Sequence, residues 1–179
     1  CLFRDQDGMR IRCLGQPGDA EPRLIHDFFR TIERYTPQLV SWNGSGFDMQ
    51  VLNYRALVHG VPATRFWELG EEDREFKWNN YISRYHTRHL DLMDLLAMYQ
   101  PRANVPLDAL AKLIGFPGKL GMDGGKVWEA WQGGQIAGIR DYCETDVMNT
   151  YLVSLCFRLM RGELARDDYA AEIAFVRGE

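Results

Sequence analysis

The sequence predicts an α/β fold, and three observations lead there. A short apolar run, Leu39-Val40, is followed by the glycine-broken Asn43-Gly44-Ser45-Gly46 and then by Phe47, Val51, Tyr54 and Val58 at helical spacing. A second short run, His89–Leu92, also leads into a helical pattern. A third stretch, Gln135–Met160, holds no proline and carries Ile139, Tyr142, Cys143, Val147, Thr150 and Val153 along one side. Strand, break and helix in that order are the grammar of an open sheet, in which ligands collect at the carboxyl ends of the strands.

In chain order, residues 1–4 read as a strand and Asp5-Gln6-Asp7-Gly8 as a turn, with glycine where the turn needs it. Met9–Leu14 alternates and gives the second strand of a hairpin. Leu24, Ile25, Phe28, Phe29 and Ile32 mark an amphipathic helix from Glu21 that stops before Pro37. The Leu39–Ser41 strand and the helix from Phe47 to Gly60 follow. In Phe66–His89, aromatics (Phe66, Trp67, Phe76, Trp78, Tyr81, Tyr85) alternate with Arg74, Lys77, Arg84, His86 and Arg88. Stacking rings interleaved with cations are what single-strand binders use, yet most of these rings are expected to pack on the domain, with one or two touching substrate. His89–Leu92 is a strand with His89 and Asp91 on one face, leading into a helix through Met98. Pro106–Ile114 is a short helix ended by Gly115. Phe116–Lys126 is a glycine-rich loop carrying Lys119, Asp123 and Lys126, without the GxxxxGK[ST] of a phosphate loop. Val127–Trp131 and Gln135–Met160 are helices, and Arg161–Glu179 a charged helical tail.

Composition bounds the function. The 179 residues fit a single domain, residues 1–179, with room for a core; 46% hydrophobic and 26% charged residues describe a globular protein. No apolar run approaches the roughly 20 residues of a membrane helix, so no membrane partner is expected. Cys1, Cys13, Cys143 and Cys156 form no CxxC pair or Cys/His metal spacing, which points to a reduced, cytoplasmic setting with Cys143 and Cys156 as small core residues. A net charge of −4 argues against a protein that coats nucleic acid by charge. It does not exclude a nuclease, whose carboxylates are offset by bound cations. The first residue is Cys rather than Met, which suggests a start inside a longer chain or after processing.

Two carboxylates stand out. Asp48 falls in the first turn of a helix just past a strand end, where an acidic residue also complements the helix dipole. Asp146 lies on the inward side of the long helix, four residues after Tyr142, with no Lys or Arg within one turn. A carboxylate facing the protein body is costly without a partner. A metal ion and a buried hydrogen-bonded Asp are both open readings.

Asn43-xxx-Phe47-Asp48 and Tyr142-xxx-Asp146 resemble the second and third motifs of the DEDDy-type 3′–5′ exonucleases. The resemblance is nearest to the predicted exonucleases related to the proofreading domain of B-family DNA polymerases. His89–Leu96 and Pro117–Gly124 are also similar to that subgroup, so the likeness covers nearly the whole chain. It implies a ribonuclease H-like mixed sheet flanked by helices, and removal of nucleotides from a single-stranded 3′ end, DNA rather than RNA. By resemblance Asp48 and Asp146 hold two divalent cations, Mg²⁺ or Mn²⁺, Tyr142 orients the attacking water, and Asn43 and Phe47 contact the terminal nucleotide. Hard cations take oxygen ligands, which suits carboxylates. The family's first motif, Asp-x-Glu, is absent; Asp5 and Asp7 do not match it. Its strand, central to the fold, is therefore missing as well, a gap expected to be filled by an upstream segment, another molecule or a shifted hairpin. The alternatives are a catalytically inactive nucleic-acid-binding domain of the same fold and a non-catalytic scaffold.

Overall fold

The computed structural model describes residues 1–5 and 8–178. In chain order these form strand β1 (Leu2–Asp5), strand β2 (Gly8–Ile11), helix α1 (Glu21–Tyr35), strand β3 (Leu39–Ser41) and helix α2 (Asp48–His59). Strand β4 (His89–Asp91) and helices α3 (Leu92–Leu96), α4 (Leu107–Leu113), α5 (Val127–Gln132), α6 (Ile136–Met160) and α7 (Arg166–Arg177) follow. Helices and small sheets are mixed, which is compatible with an α/β fold, although among the described residues α3 to α7 follow β4 with no strand between them. Two two-stranded sheets are present: β1 and β2 pair antiparallel, and β3 and β4 pair parallel. Among the described residues no strand joins the two sheets. By contacts the chain divides into Arg12–Asn104 and a second unit made of Cys1–Ile11 with Val105–Glu179.

In the unit Arg12–Asn104, α1 buries the apolar stripe read from its sequence: Ile25, Phe29 and Ile32 are buried. The helix ends where Thr36 turns left-handed (φ 40°) and gives its N–H to the Ile32 carbonyl, just before Pro37. Glu21, in its first turn, pairs with Arg55 and with His59 of α2, 2.9 Å away. Phe66, Phe76, Tyr81 and Ala56 complete the core, with the Tyr81 ring stacked on Phe66 at 5.5 Å. Phe76 is fully enclosed between the Arg65 and Arg88 guanidiniums, 4.3 and 4.1 Å from its ring centre. Truncating such a ring costs about 3–5 kcal/mol. Half of the aromatic segment is therefore core, fewer rings than expected: Phe66, Phe76 and Tyr81 are buried, while Trp67, Trp78 and Tyr85 stay exposed.

In the other unit, α6 packs against α4, α5, α7 and β1. Leu152, Val153, Leu155 and Phe157 are buried along its second half. Arg4 of β1 forms a bidentate pair with Glu172 of α7 at 2.7 and 2.9 Å, and Tyr151 of α6 donates to the same carboxylate.

Several expectations change. The stripe that announces α2 does not face its own unit's core: Phe47, Val51, Tyr54 and Val58 are exposed, and Met49, Leu52 and Ala56 pack inward instead. Helical spacing fixes which residues share a face, not which face meets the core. Cys143 is exposed rather than a core residue. Strand β2 stops at Ile11, and α3 stops at Leu96 because Met98 and Tyr99 take left-handed backbone angles (φ 51° and 61°). The tail is not one helix: the chain breaks at Gly162 (φ 74°) and resumes at Arg166. Of the turn read at Asp5–Gly8, Gln6 and Asp7 lie outside the described residues, as does Glu179.

Candidate active site

The first group of site residues is carried by the loop between β3 and α2. Parallel pairing sets Leu39 beside His89 and Ser41 beside Asp91. The side chains of β4 then grip the loop. The buried Asp91 carboxylate accepts from Asn43 N–H at 2.9 Å and Ser45 N–H at 2.8 Å, and from Asp94 N–H at 3.5 Å as the cap of α3. The Ser41 hydroxyl and His89 Nε2 lie 2.8 Å apart. Burial holds the His89 imidazole below its usual value, opposed by the nearby Asp91 charge, so it is neutral at pH 7.

Two glycines make this clamp possible. A Cβ on Gly44 would stand 2.4 Å from Ser41 Oγ, and one on Gly46 would stand 2.4 Å from Asn43 Oδ1. Asn43 itself is left-handed (φ 62°), a conformation Asn tolerates better than most residues. Met49 N–H bonds to the Gly44 carbonyl at 2.9 Å and Val51 N–H to the Phe47 carbonyl at 3.0 Å, which starts α2. Phe47 is thereby presented to solvent, 62% exposed, and Asp48 follows it as the first residue of the helix, also exposed.

Tyr142 and Asp146 occupy successive turns of α6, in the other unit. Burial, and then the hydrogen bond to the Asp146 carboxylate, push the Tyr142 phenol well above its ordinary value. Asp146 Oδ1 is buried and has no hydrogen-bond partner among the described residues. An orphaned carboxylate oxygen is costly, and it is what a hard cation or a tightly held water would satisfy. The glycine-rich loop is pinned beside this pair. Asn149 bonds to both Gly118 N–H (3.2 Å) and Gly118 carbonyl (2.8 Å), and Asp108 accepts from Lys119 N–H at 2.7 Å. Lys119 then lies over the Tyr142 ring at 5.7 Å.

The structure thus brings Asn43, Phe47 and Asp48 together on one loop, and Tyr142 with Asp146 on one helix. No cluster of three or more His, Cys, Asp or Glu side chains able to hold a metal occurs among the described residues. Sequence reading missed the roles of Asp91 and Asn149. Asp91 was legible as sharing a face with His89, but its use as an acceptor for backbone donors 46 and 48 residues away was not. Asn149 gave no signal beyond its place on α6.

Among the described residues no helix is long and apolar enough to cross a membrane. A family model described as "Predicted 3'-5' exonuclease related to the exonuclease domain of PolB" matches residues 1–178. Among curated proteins, a DNA polymerase of Archaeoglobus fulgidus is 23% identical over 149 residues. The match covers 82% of this chain and 19% of that polymerase. No solved structure matches the chain.

Proposed function

The chain belongs to the family of predicted 3′–5′ exonucleases related to the exonuclease domain of PolB, and from that membership we propose that it removes nucleotides from the 3′ end of single-stranded DNA. The fold that goes with this reading is ribonuclease H-like. The observation that carries the site assignment is the Tyr142–Asp146 pair, whose carboxylate keeps a buried oxygen without a hydrogen-bond partner among the described residues. Asp146 and Asp48 are the residues that would hold divalent cations, Mg²⁺ or Mn²⁺. Such ions lower the pKa of a bound water and stabilise charge on the departing oxygen.

The chain's own residues have separable tasks. Tyr142 stays protonated at neutral pH, because its phenol is raised rather than lowered. As the resemblance to the family implies, it serves as a hydrogen-bonding group that orients the attacking water. Phe47, exposed at the start of α2, offers a ring face to the terminal base, and Asn43 offers a side-chain amide beside it. Water adds to phosphorus, the bond from phosphorus to the 3′ oxygen breaks, and the shortened strand keeps a 3′ hydroxyl.

The test is digestion of a 5′-labelled single strand, with Mg²⁺, Mn²⁺ or EDTA, by the protein and by Asp48→Ala and Asp146→Ala. A ladder shortening from the 3′ end, dependent on metal and lost in both variants, is expected. Salt-dependent binding of the strand without cleavage under either metal would make the chain a binding module instead. Full activity in Asp146→Ala would remove the site assignment.

A further inference from the structure

Helix α5 exposes two tryptophans that the packing does not use. Trp128 and Trp131 lie one turn apart, with ring centroids 5.1 Å apart and planes 21° from parallel. They remain 66% and 55% exposed, while Ala130 between them is the helix's buried residue. A single exposed aromatic needs no explanation, but two stacked indoles cover each other's inner faces and leave outer ring faces open to water.

The place of this surface matters more than its exposure. The 3-10 turn Gly124–Lys126 runs directly into α5. A Cβ added to Gly124 would stand 3.3 Å from the Tyr142 hydroxyl. The chain therefore passes the Tyr142–Asp146 pair four residues before Trp128, a helical rise of roughly 6–8 Å. Lys126, exposed, stands between the two places.

We propose that the Trp128–Trp131 stack is a platform for an unpaired base of a single strand whose 3′-terminal phosphodiester lies at Tyr142 and Asp146. The inference rests on the exonuclease reading and adds a subsite to it. Bases of any identity have a ring face to stack, so the platform tolerates sequence, and a cation beside it suits the backbone. A paired base has both faces covered by its neighbours, so the platform selects unpaired ends. A protein partner fits less well. Two indoles supply at most about 500 Å², whereas a stable protein interface buries about 800 Å² per partner. Their chain neighbours include the polar Lys126, Glu129, Gln132 and Gln135 beside Val127.

The test compares the protein with Trp128→Ala/Trp131→Ala and Trp128→Phe/Trp131→Phe, reading anisotropy of a labelled oligo-dT in EDTA and KM and kcat in Mn²⁺. Loss of a base stack is expected to weaken binding and raise KM about 5- to 150-fold, with kcat at saturation within about twofold. The phenylalanine variant should recover most of the loss, which also shows that the fold survives. An abasic site at one position of the strand should weaken binding to the protein but not to the alanine variant. Unchanged binding and KM in the alanine variant overturn the proposal. So does a change of sedimentation coefficient in that variant with strand binding intact, which would make the pair a protein contact. A protein that neither binds nor cleaves single strands fails at the exonuclease reading, a result distinct from one that cleaves normally without its tryptophans.

Discussion

Replacing Asp91 by alanine removes a buried carboxylate that holds the β3–α2 loop from below. Two backbone N–H groups point at it, at 2.9 and 2.8 Å; the third, at 3.5 Å, is too long to count for much. Hydrogen bonds to a charged group contribute about 1.5–3 kcal/mol each. The loop can recover part of that by opening to water, so a loss of about 2–4 kcal/mol is expected from total stabilities of about 5–15 kcal/mol. With urea m-values of about 1–3 kcal/mol/M, the unfolding midpoint should fall by about 1–2 M. The measurement belongs in EDTA, because the clamp acts on backbone and needs no metal. Asp91→Asn should lie in between, since an amide offers one acceptor and turns a donor toward the second N–H. A midpoint that moves by less than about 0.3 M in EDTA, under about 1 kcal/mol, would show that the clamp adds little, and a response to Asp91→Ala only when Mn²⁺ is present would show that Asp91 is a metal ligand; either result refutes the reasoning.

Tyr142→Phe should lower the cleavage rate about 10²–10⁴-fold, the usual contribution of a positioned acid–base or orienting group, with the urea midpoint nearly unchanged. Gly44→Ala places a methyl 2.4 Å from Ser41 Oγ and 2.6 Å from Ser41 Cβ. It should cost about 1–3 kcal/mol, part of which Ser41→Gly in the same chain returns; additive losses in the double variant would exclude that contact as the cause. His89 titrates below its ordinary 6.5 because it is buried. As pH falls through 6.5 the unfolded chain takes up this proton before the folded one, so stability is full above that pH and declines below it. Urea midpoints between pH 8 and 5 should show this decline in the protein and a flatter curve in His89→Gln; parallel curves would assign the slope to other groups.

Most of the element order was legible from local pattern. The proline at the start of α1 and the left-handed turn at its end bracket a stripe that really is buried, and the parallel β3–β4 pair lies where the two apolar runs were read. What failed, failed for a physical reason. Periodicity groups residues by face, and on α2 the larger apolar group, Phe47, Val51, Tyr54 and Val58, is the face turned to solvent. The break after Leu96 depends on two left-handed residues, Met98 and Tyr99, that are not glycines and carry no compositional mark. The joining of β1 to α7 through Arg4 and Glu172 spans 168 residues, beyond the reach of any local pattern.

The candidate site shows the same division between what spacing can say and what contact must say. From sequence, Asp48, Asp91 and Asp146 are three acidic residues near strand ends or on an inward helix face. Their surroundings sort them. Asp91 is buried, with both oxygens engaged by the backbone of the very loop that carries Asn43, Phe47 and Asp48. Its charge is occupied in shaping the loop. Asp48 is exposed at the first residue of α2, where the positive end of the helix dipole favours an anion. Asp146 lies one turn beyond Tyr142 and keeps an oxygen inside the protein that no described donor reaches. Of the three, Asp91 therefore works on the fold. Asp146 alone has an unmet demand that a cation or a water would answer, which is why the functional reading is anchored there.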